Sequence, residues 1–546
     1  MGHAYRCWGE DAVRKLKGIF ALVIEDGARD LLLCARDPLG MHPLFYAEVG
    51  RTLLLSPTVE TLLRHPGVST AINRPLLVDY LTRRWPVNDE TYFAHVRRVP
   101  PGHIMRVGRD GRQMYRYWNP VPRDRPIHWI PDDEVQDRFE ALLGQAVARC
   151  LARGPAGVYL SGGLDSSAVV MVAADLSRRQ EQAPPSGLSL SFPGLACDDT
   201  DMQRAVTSQL GLSHVGLPFD EAAGREGTLP AALAMTRTLP APLSLMWRPA
   251  LSRLALDGRE LGCRVILSGD GADDWLSENA FMAVDFIRSL DLAGIYRLCR
   301  IYCHSFHFTR RQALHMLLWR YAGRSLLRDT WRTTADRVGA PGLVPRRWRF
   351  PVLMRADPPP WMAPDATLRA LVAQRVEERF RSGGATPRID SYYLRDTRSM
   401  LDSPDKWFAE EETFLVGQRS GIPVRQPFRD PDLIDFLVKV RPLGRSEGDL
   451  SKALVRRPLV RRFPHLGFAR QRKTWLGEAW QAVLSTQLGQ QCRTMGDIWG
   501  LAELGVVDPE QGRALMDDAL AGKGSESGAE YAWMILNLEA WVRAHR

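Results

Sequence analysis

The chain has no run of eighteen apolar residues, so no stretch of it reads as a membrane-spanning helix. Its opening residues, Met1-Gly2-His3-Ala4-Tyr5-Arg6, lack the apolar core of a secretory signal. Eight cysteines are scattered through 546 residues without a dense framework, which excludes a disulfide-stapled scaffold. Together these absences predict a cytoplasmic protein. Internal repeats are absent as well. Lysine is scarce, with seven in the chain, and no G-x-x-x-x-G-K-S/T phosphate loop occurs.

What remains is ordinary for a globular protein of two or three domains, at 45% hydrophobic and 25% charged residues. Lysine plus arginine exceeds aspartate plus glutamate by 72 − 63 = 9. The basic residues are nearly all arginine and are spread along the chain. The densest basic-aromatic cluster, Pro345-Arg346-Arg347-Trp348-Arg349-Phe350, reads as a solvated or partner-facing surface. No nucleic-acid partner is expected.

The most informative segment is Ala156-Gly157-Val158-Tyr159-Leu160 followed by Ser161-Gly162-Gly163-Leu164-Asp165-Ser166-Ser167 and an apolar helical pattern. This predicts strand, tight glycine turn, helix. Such a junction aims unpaired N–H groups and the positive end of a helix dipole at the turn, a combination that favours phosphate or pyrophosphate. Asp165 would repel that anion unless a cation such as Mg2+ intervened. A second strand and glycine turn, Val265 to Asp274, carries three carboxylates: Asp270, Asp273 and Asp274. Between the two lie a short strand, Ser189 to Phe192, and a helical pattern running to Leu210-Gly211.

These segments resemble the pyrophosphate loop of the ATP pyrophosphatases and, more narrowly, the "GEGADE" and "DES…A…LG" stretches of the asparagine synthetase family. The resemblance implies an α/β fold of two parts. A truncated glutaminase-like, β-rich domain of the N-terminal-nucleophile type would occupy 1–120. A linker at 121–132 and a doubly wound, parallel-sheet ATP pyrophosphatase domain with helical insertions at 133–546 would follow. In the first part, Gly18–Asp26 and Asp30–Asp37 read as strands, with Leu39–Tyr46 and Leu53–Ser56 continuing a meander. A helical pattern from Asp133 to Leu151 opens the second, and residues 280–400 read as mostly helical around a Pro-rich loop, Asp357-Pro358-Pro359-Pro360.

Glutamine-dependent members begin, after methionine removal, with a cysteine whose own amino group acts as base. Here position 2 is Gly2, and Cys7 is internal. The expectation is therefore that this chain releases no ammonia from glutamine, whether its first domain is a vestigial scaffold or its true start lies upstream. Relatives that need no ammonia include the β-lactam synthetases and the lasso peptide cyclases.

By resemblance, Ser161, Gly162, Gly163, Leu164, Asp165, Ser166 and Ser167 hold pyrophosphate, and Asp165 and Asp273 hold Mg2+. Leu190 and Ser191 meet adenine, with Gly269 close to the nucleotide. Asp270 is the candidate for steering or deprotonating the amine, and Lys452 and Lys473 fall where the family places functional lysines. Two departures stand out. Pro423 replaces the glutamate of "E-x-R-x-PF-D", and the segment around Lys473 lacks the family spacing. The run Glu410-Glu411-Glu412 offers a substitute carboxylate for that glutamate, but a solvated face is the expectation. Cys299, Cys303, His304 and His307 do not make a zinc site: eight helical residues span ~12 Å, against metal–ligand distances of roughly 2.0–2.3 Å.

The resulting expectation is an ATP-dependent, AMP-forming amide ligase that acts as a lasso peptide cyclase. It would join an Asp or Glu side chain of a precursor peptide to that peptide's N-terminal amine as a macrolactam. Leader-binding and leader-protease proteins would be its partners. An asparagine synthetase with a truncated start, a β-lactam-type synthetase and a catalytically dead scaffold are the alternatives.

Overall fold

The computed structural model describes residues 1–83, 89–121, 126–339, 358–382, 391–474, 476–520 and 526–546. The basic cluster at 345–350, Asp357 and part of the expected linker lie outside the described residues.

The N-terminal part carries β1 (Ala21–Asp26), β2 (Leu31–Arg36), β3 (Phe45–Val49), β4 (Thr52–Ser56), β5 (Arg97–Arg98), β6 (His103–Gly108) and β7 (Gly111–Arg116). They do not form the expected meander. The strands form two antiparallel sheets, ordered β1-β2-β6-β7 and β4-β3-β5. The break follows β2, where the buried Asp37 carboxylate accepts the backbone N–H groups of Leu39, Met41 and His42. Arg36 donates to the carbonyls of Gly40 and His42, closing the turn from the other side. Gly40 sits at φ 69°, where a side chain would collide with Pro101. The chain is thereby redirected out of the first sheet.

The second part is built on five parallel strands: β8 (Ala156–Tyr159), β9 (Ser186–Ser191), β10 (His214–Pro218), β11 (Val265–Leu267) and β12 (Val424–Arg425). Their order is β10-β9-β8-β11-β12. Val158, Leu188, Ile266 and Leu267 are fully buried. Apolar clusters cover both faces of the sheet, as a parallel sheet requires. The chain crosses to one side of β8 to make β9 and to the other to make β11. Such a reversal opens a crevice at the carboxyl ends of the two strands. Both glycine turns fall there.

Described residues between 282 and 401 are largely helical, including Leu292–Ser305, a π-helical stretch at His315–Gly323 and Tyr392–Leu401. The helix Glu526–His545 carries Trp541 against Tyr92 and Phe93, with ring centroids 5.4 and 5.5 Å apart, so both parts share one core.

Candidate active site

The strand–turn–helix reading at 156–179 holds: β8 ends at Tyr159 and a helix runs Leu164–Arg179. The turn is internally braced. Ser161 donates its backbone N–H to Ser166 Oγ at 3.1 Å, the two hydroxyls lie 3.0 Å apart, and Gly163 N–H reaches Ser161 Oγ at 3.3 Å. Gly162 takes φ 83°, and a Cβ there would lie 2.8 Å from Asp199. After β11, Gly269 approaches so closely that a Cβ would sit 2.8 Å from the Ser166 backbone nitrogen. The two turns therefore close on each other only because glycine stands at this position.

They frame a cleft of about 520 Å³. Ser161, Gly163, Leu164, Asp165, Ser166, Leu190, Gly269, Asp270, Asp273, Lys452 and Lys473 all line it. Three expected residues do not. Ser167 is fully buried on the inward side of its helix, Gly162 turns its carbonyl to Gln471 Nε2 at 2.9 Å, and Ser191 ends β9 outside the lining. Its apolar lining is supplied by Leu188, Leu190, Phe192, Leu245, Trp247 and Leu254. Those side chains suit a flat heterocycle, and the serine-rich turn suits phosphates.

The centre of the site is a lysine between two carboxylates. Lys452 Nζ lies 2.5 Å from Asp165 Oδ2 and 2.6 Å from Asp273 Oδ1, while Lys473 Nζ reaches Asp273 Oδ2 at 2.9 Å. Burial opposes charge on Asp273, but the two ammonium groups outweigh it and hold the carboxyl down to about 2. Burial likewise opposes charge on Lys452, and the paired carboxylates raise its pKa above the ordinary lysine value, so it stays cationic. At Asp165 burial prevails and pushes the carboxyl up. Lys452 takes a left-handed backbone (φ 58°, ψ 39°) immediately before the helix Ala453–Arg462, a costly conformation for a side-chain-bearing residue.

Asp165 Oδ1 is buried with no hydrogen-bond partner among the described residues. An orphaned carboxylate oxygen beside the exposed Asp273 fits an oxygen-liganded divalent cation such as Mg2+. Asp165 and Asp273 would hold it. No group of three or more His, Cys, Asp or Glu forms a metal site among the described residues. In the Cys299–His307 segment, the helix stops at Ser305 and His304 Nδ1 contacts Asp449 at 3.1 Å.

Asp270 is exposed at the cleft, its backbone N–H capped by Ser268 Oγ at 3.1 Å. Behind it lies the largest correction to the sequence reading. Glu410 and Glu412 are buried and Glu411 is half-buried, so the run is no solvated face. Each residue meets arginine. Glu410 pairs with Arg429 Nε at 3.1 Å and Glu412 with Arg248 Nε at 2.6 Å; Glu411 takes Arg36 at 3.0 Å and Arg98 at 3.1 Å from the N-terminal part. Arg429 reaches on to Asp274 at 3.5 Å and packs under Gly271. The helix Pro404–Ser420 thus braces the Ser268–Asp274 turn from below.

Residues missed in the sequence brace the lysines. Arg456, buried, donates to the Ser451 carbonyl at 3.3 Å and to the Gln471 carbonyl at 3.1 Å. Ser305 Oγ accepts the Ser451 N–H at 3.0 Å, and its carbonyl accepts the Lys473 N–H at 3.2 Å. Arg456 was visible as a basic residue near Lys452, but nothing local told that its guanidinium turns inward. Trp475 lies outside the described residues.

Five parallel strands with paired glycine turns at the point of strand reversal define a doubly wound α/β protein with a nucleotide-type cleft. Over residues 138–543 the chain matches the asparagine synthase family, and over 1–118 the glutamine amidotransferase domain. It belongs to the asparagine synthase family. Similar proteins include asparagine synthetase (glutamine-hydrolyzing) 3 of Bacillus subtilis, 33% identical over 194 residues, covering 35% of this chain and 31% of that one. Amidase chyE of Penicillium rubens is 29% identical over 283 residues, covering 50% and 41%. A putative asparagine synthetase (glutamine-hydrolyzing) of Mycobacterium bovis is 28% identical over 278 residues, covering 50% and 41%. These matches span less than half the length of each relative. No helix among the described residues is long and apolar enough to cross a membrane.

Proposed function

We propose that the chain is an ATP-dependent, AMP-forming amide ligase that cyclises a peptide. The observation that carries this reading is the pair Asp165 and Asp273, held by Lys452 at the mouth of the serine-glycine turn. A carboxylate oxygen of the substrate attacks the α-phosphorus of ATP, the bond to the β-phosphate bridge breaks, and diphosphate leaves. The backbone N–H groups and hydroxyls of Ser161 to Ser166 bind the departing diphosphate. Bound Mg2+ would supply charge neutralisation of the phosphates. The amine nitrogen then attacks the activated carbonyl carbon and AMP leaves. The excess proton of the amine passes to Asp270, and Lys452 and Lys473 face the oxyanion that develops.

The finer reading is a lasso peptide cyclase, in which an Asp or Glu side chain of a precursor is joined to the peptide's own N-terminal amine. Its support is the cleft itself: Asp270 lines it from an exposed position, where an amine carried by the substrate would meet the activated carbonyl. Leader-binding and leader-protease proteins would deliver the precursor. The setting is cytoplasmic, where ATP is present and eight unpaired thiols persist. Diphosphate release that depends on a peptide with a free N-terminal amine and an internal acidic residue supports this reading. Rapid formation of asparagine from aspartate and ammonia, without any peptide requirement, overturns it in favour of an asparagine synthetase.

A further inference from the structure

A second cavity, of about 140 Å³, lies on the seam between the N-terminal part and the parallel sheet and shares no lining residue with the catalytic cleft. Four arginines line it: Arg149, Arg153, Arg425 and Arg429. Two are neutralised by acids. Arg149 pairs with Asp430 at 2.5 Å and Asp432 at 2.7 Å, and Arg429 with Glu410 at 3.1 Å. The other two have no carboxylate within ion-pair distance among the described residues. Arg425 is partly buried, and its one side-chain hydrogen bond among the described residues goes to the carbonyl of its neighbour Val424 at 3.1 Å. Arg153 is exposed and donates no side-chain bond among the described residues. The remaining acid at the cavity, Asp37, already accepts three backbone N–H groups.

Burial, and then the like charge of Arg153, push Arg425 below the ordinary arginine value. Two guanidinium groups left to repel each other in a half-enclosed space destabilise the chain unless an anion joins them. Guanidinium forks match the geometry of phosphate oxygens. An apolar cavity of about 150 Å³ accommodates a six-carbon ring, so the available space suits a small oxyanion.

We infer that Arg153 and Arg425 form a site for a phosphate-type oxyanion, separate from the catalytic cleft and lying on the seam between the two parts of the chain. Its occupant is inorganic phosphate or diphosphate, and the test separates them. The full-length protein is saturated with Mg2+ and α,β-methylene-ATP to fill the catalytic cleft, and then titrated with inorganic phosphate by calorimetry and by thermal melting. Phosphate is expected to bind with one site and to raise the melting temperature. Arg153→Gln, at an exposed position where folding is not at stake, and Arg425→Gln are each expected to weaken that binding at least about tenfold and leave nucleotide binding unchanged. A parallel titration with diphosphate identifies the source: tighter binding than phosphate marks the reaction product, equal or weaker binding marks free phosphate. Equal phosphate effects in wild type and both variants, an equal effect from chloride at the same ionic strength, or no phosphate binding overturns the site. Retained nucleotide binding in that event leaves the ligase reading untouched.

Discussion

Lys452 lies between Asp165 and Asp273, its ammonium 2.5 and 2.6 Å from one oxygen of each, so a single cation joins the two turns that follow β8 and β11. These turns come from strands more than a hundred residues apart in sequence, and Lys452 arrives from a third segment. Replacing Lys452 with Met leaves two carboxylates facing each other and removes a charge aimed at the acyl carbon. The expected rate of amide formation falls by about 10²–10³. The melting temperature falls as well, because the partly buried Asp165 carboxylate loses its compensating charge. Steady-state AMP production and thermal denaturation check both effects. Unchanged turnover removes Lys452 from the chemistry.

Gly269→Ala tests the closeness of the two turns. A methyl group placed 2.8 Å from the Ser166 nitrogen must push backbone away from backbone, at a cost of about 1–3 kcal/mol. Nucleotide affinity is expected to fall at least about tenfold, which fluorescence titration with a labelled ATP analogue measures. Wild-type affinity would show that the turns are not in register with a nucleotide.

Glu278 predicts a pH dependence of stability. It is 5% exposed, and burial raises it from 4.5 to about 7 against its own backbone N–H and the charges of Arg445, Lys452 and Arg297. Arg456 also faces it. Below pH 4.5 the folded and unfolded chains are both protonated there and no penalty exists. As pH rises from 4.5 through 7 the unfolded chain releases the proton first, so stability is lost, up to about 3 kcal/mol above pH 7. Glu278→Gln should raise the melting temperature at pH 8 and leave it unchanged at pH 4.5. A uniform shift at both pH values would contradict the assignment.

The Glu410–Arg429 pair should behave as a buried ion pair. Arg429→Met alone leaves Glu410 uncompensated and is expected to destabilise by about 3–5 kcal/mol, whereas the double replacement Glu410→Leu with Arg429→Met recovers most of the loss. Chemical denaturation of the single and double variants measures the coupling. Additive effects would mean that the two residues do not interact.

The sequence made the local part of this fold legible. The strand–turn–helix at 156–179 and the turn at 268–274 are encoded by contiguous apolar runs bounded by glycines, a local signal that places them. What it concealed was non-local. Leu39–Tyr46 looks like the next strand of a meander, but the hydrogen bonds of Arg36 and Asp37 redirect the chain into a second sheet. Glu410–Glu412 look solvated, because their arginine partners at 36, 98, 248 and 429 are distant in sequence. Ser167 shares the loop composition of Ser161 and Ser166, yet the helical turn rotates it inward. The seam arginines could be counted in the sequence, but only the fold separates paired from unpaired ones.

The most direct test of the whole account is the fate of the substrate oxygen. A peptide with a free N-terminal amine and an internal glutamate labelled with 18O in its side-chain carboxylate is turned over with ATP and Mg2+, and the nucleotide product is examined by 31P NMR. Attack at the α-phosphorus predicts AMP carrying one 18O atom, together with unlabelled diphosphate. Production of ADP, or of AMP without label, would contradict it.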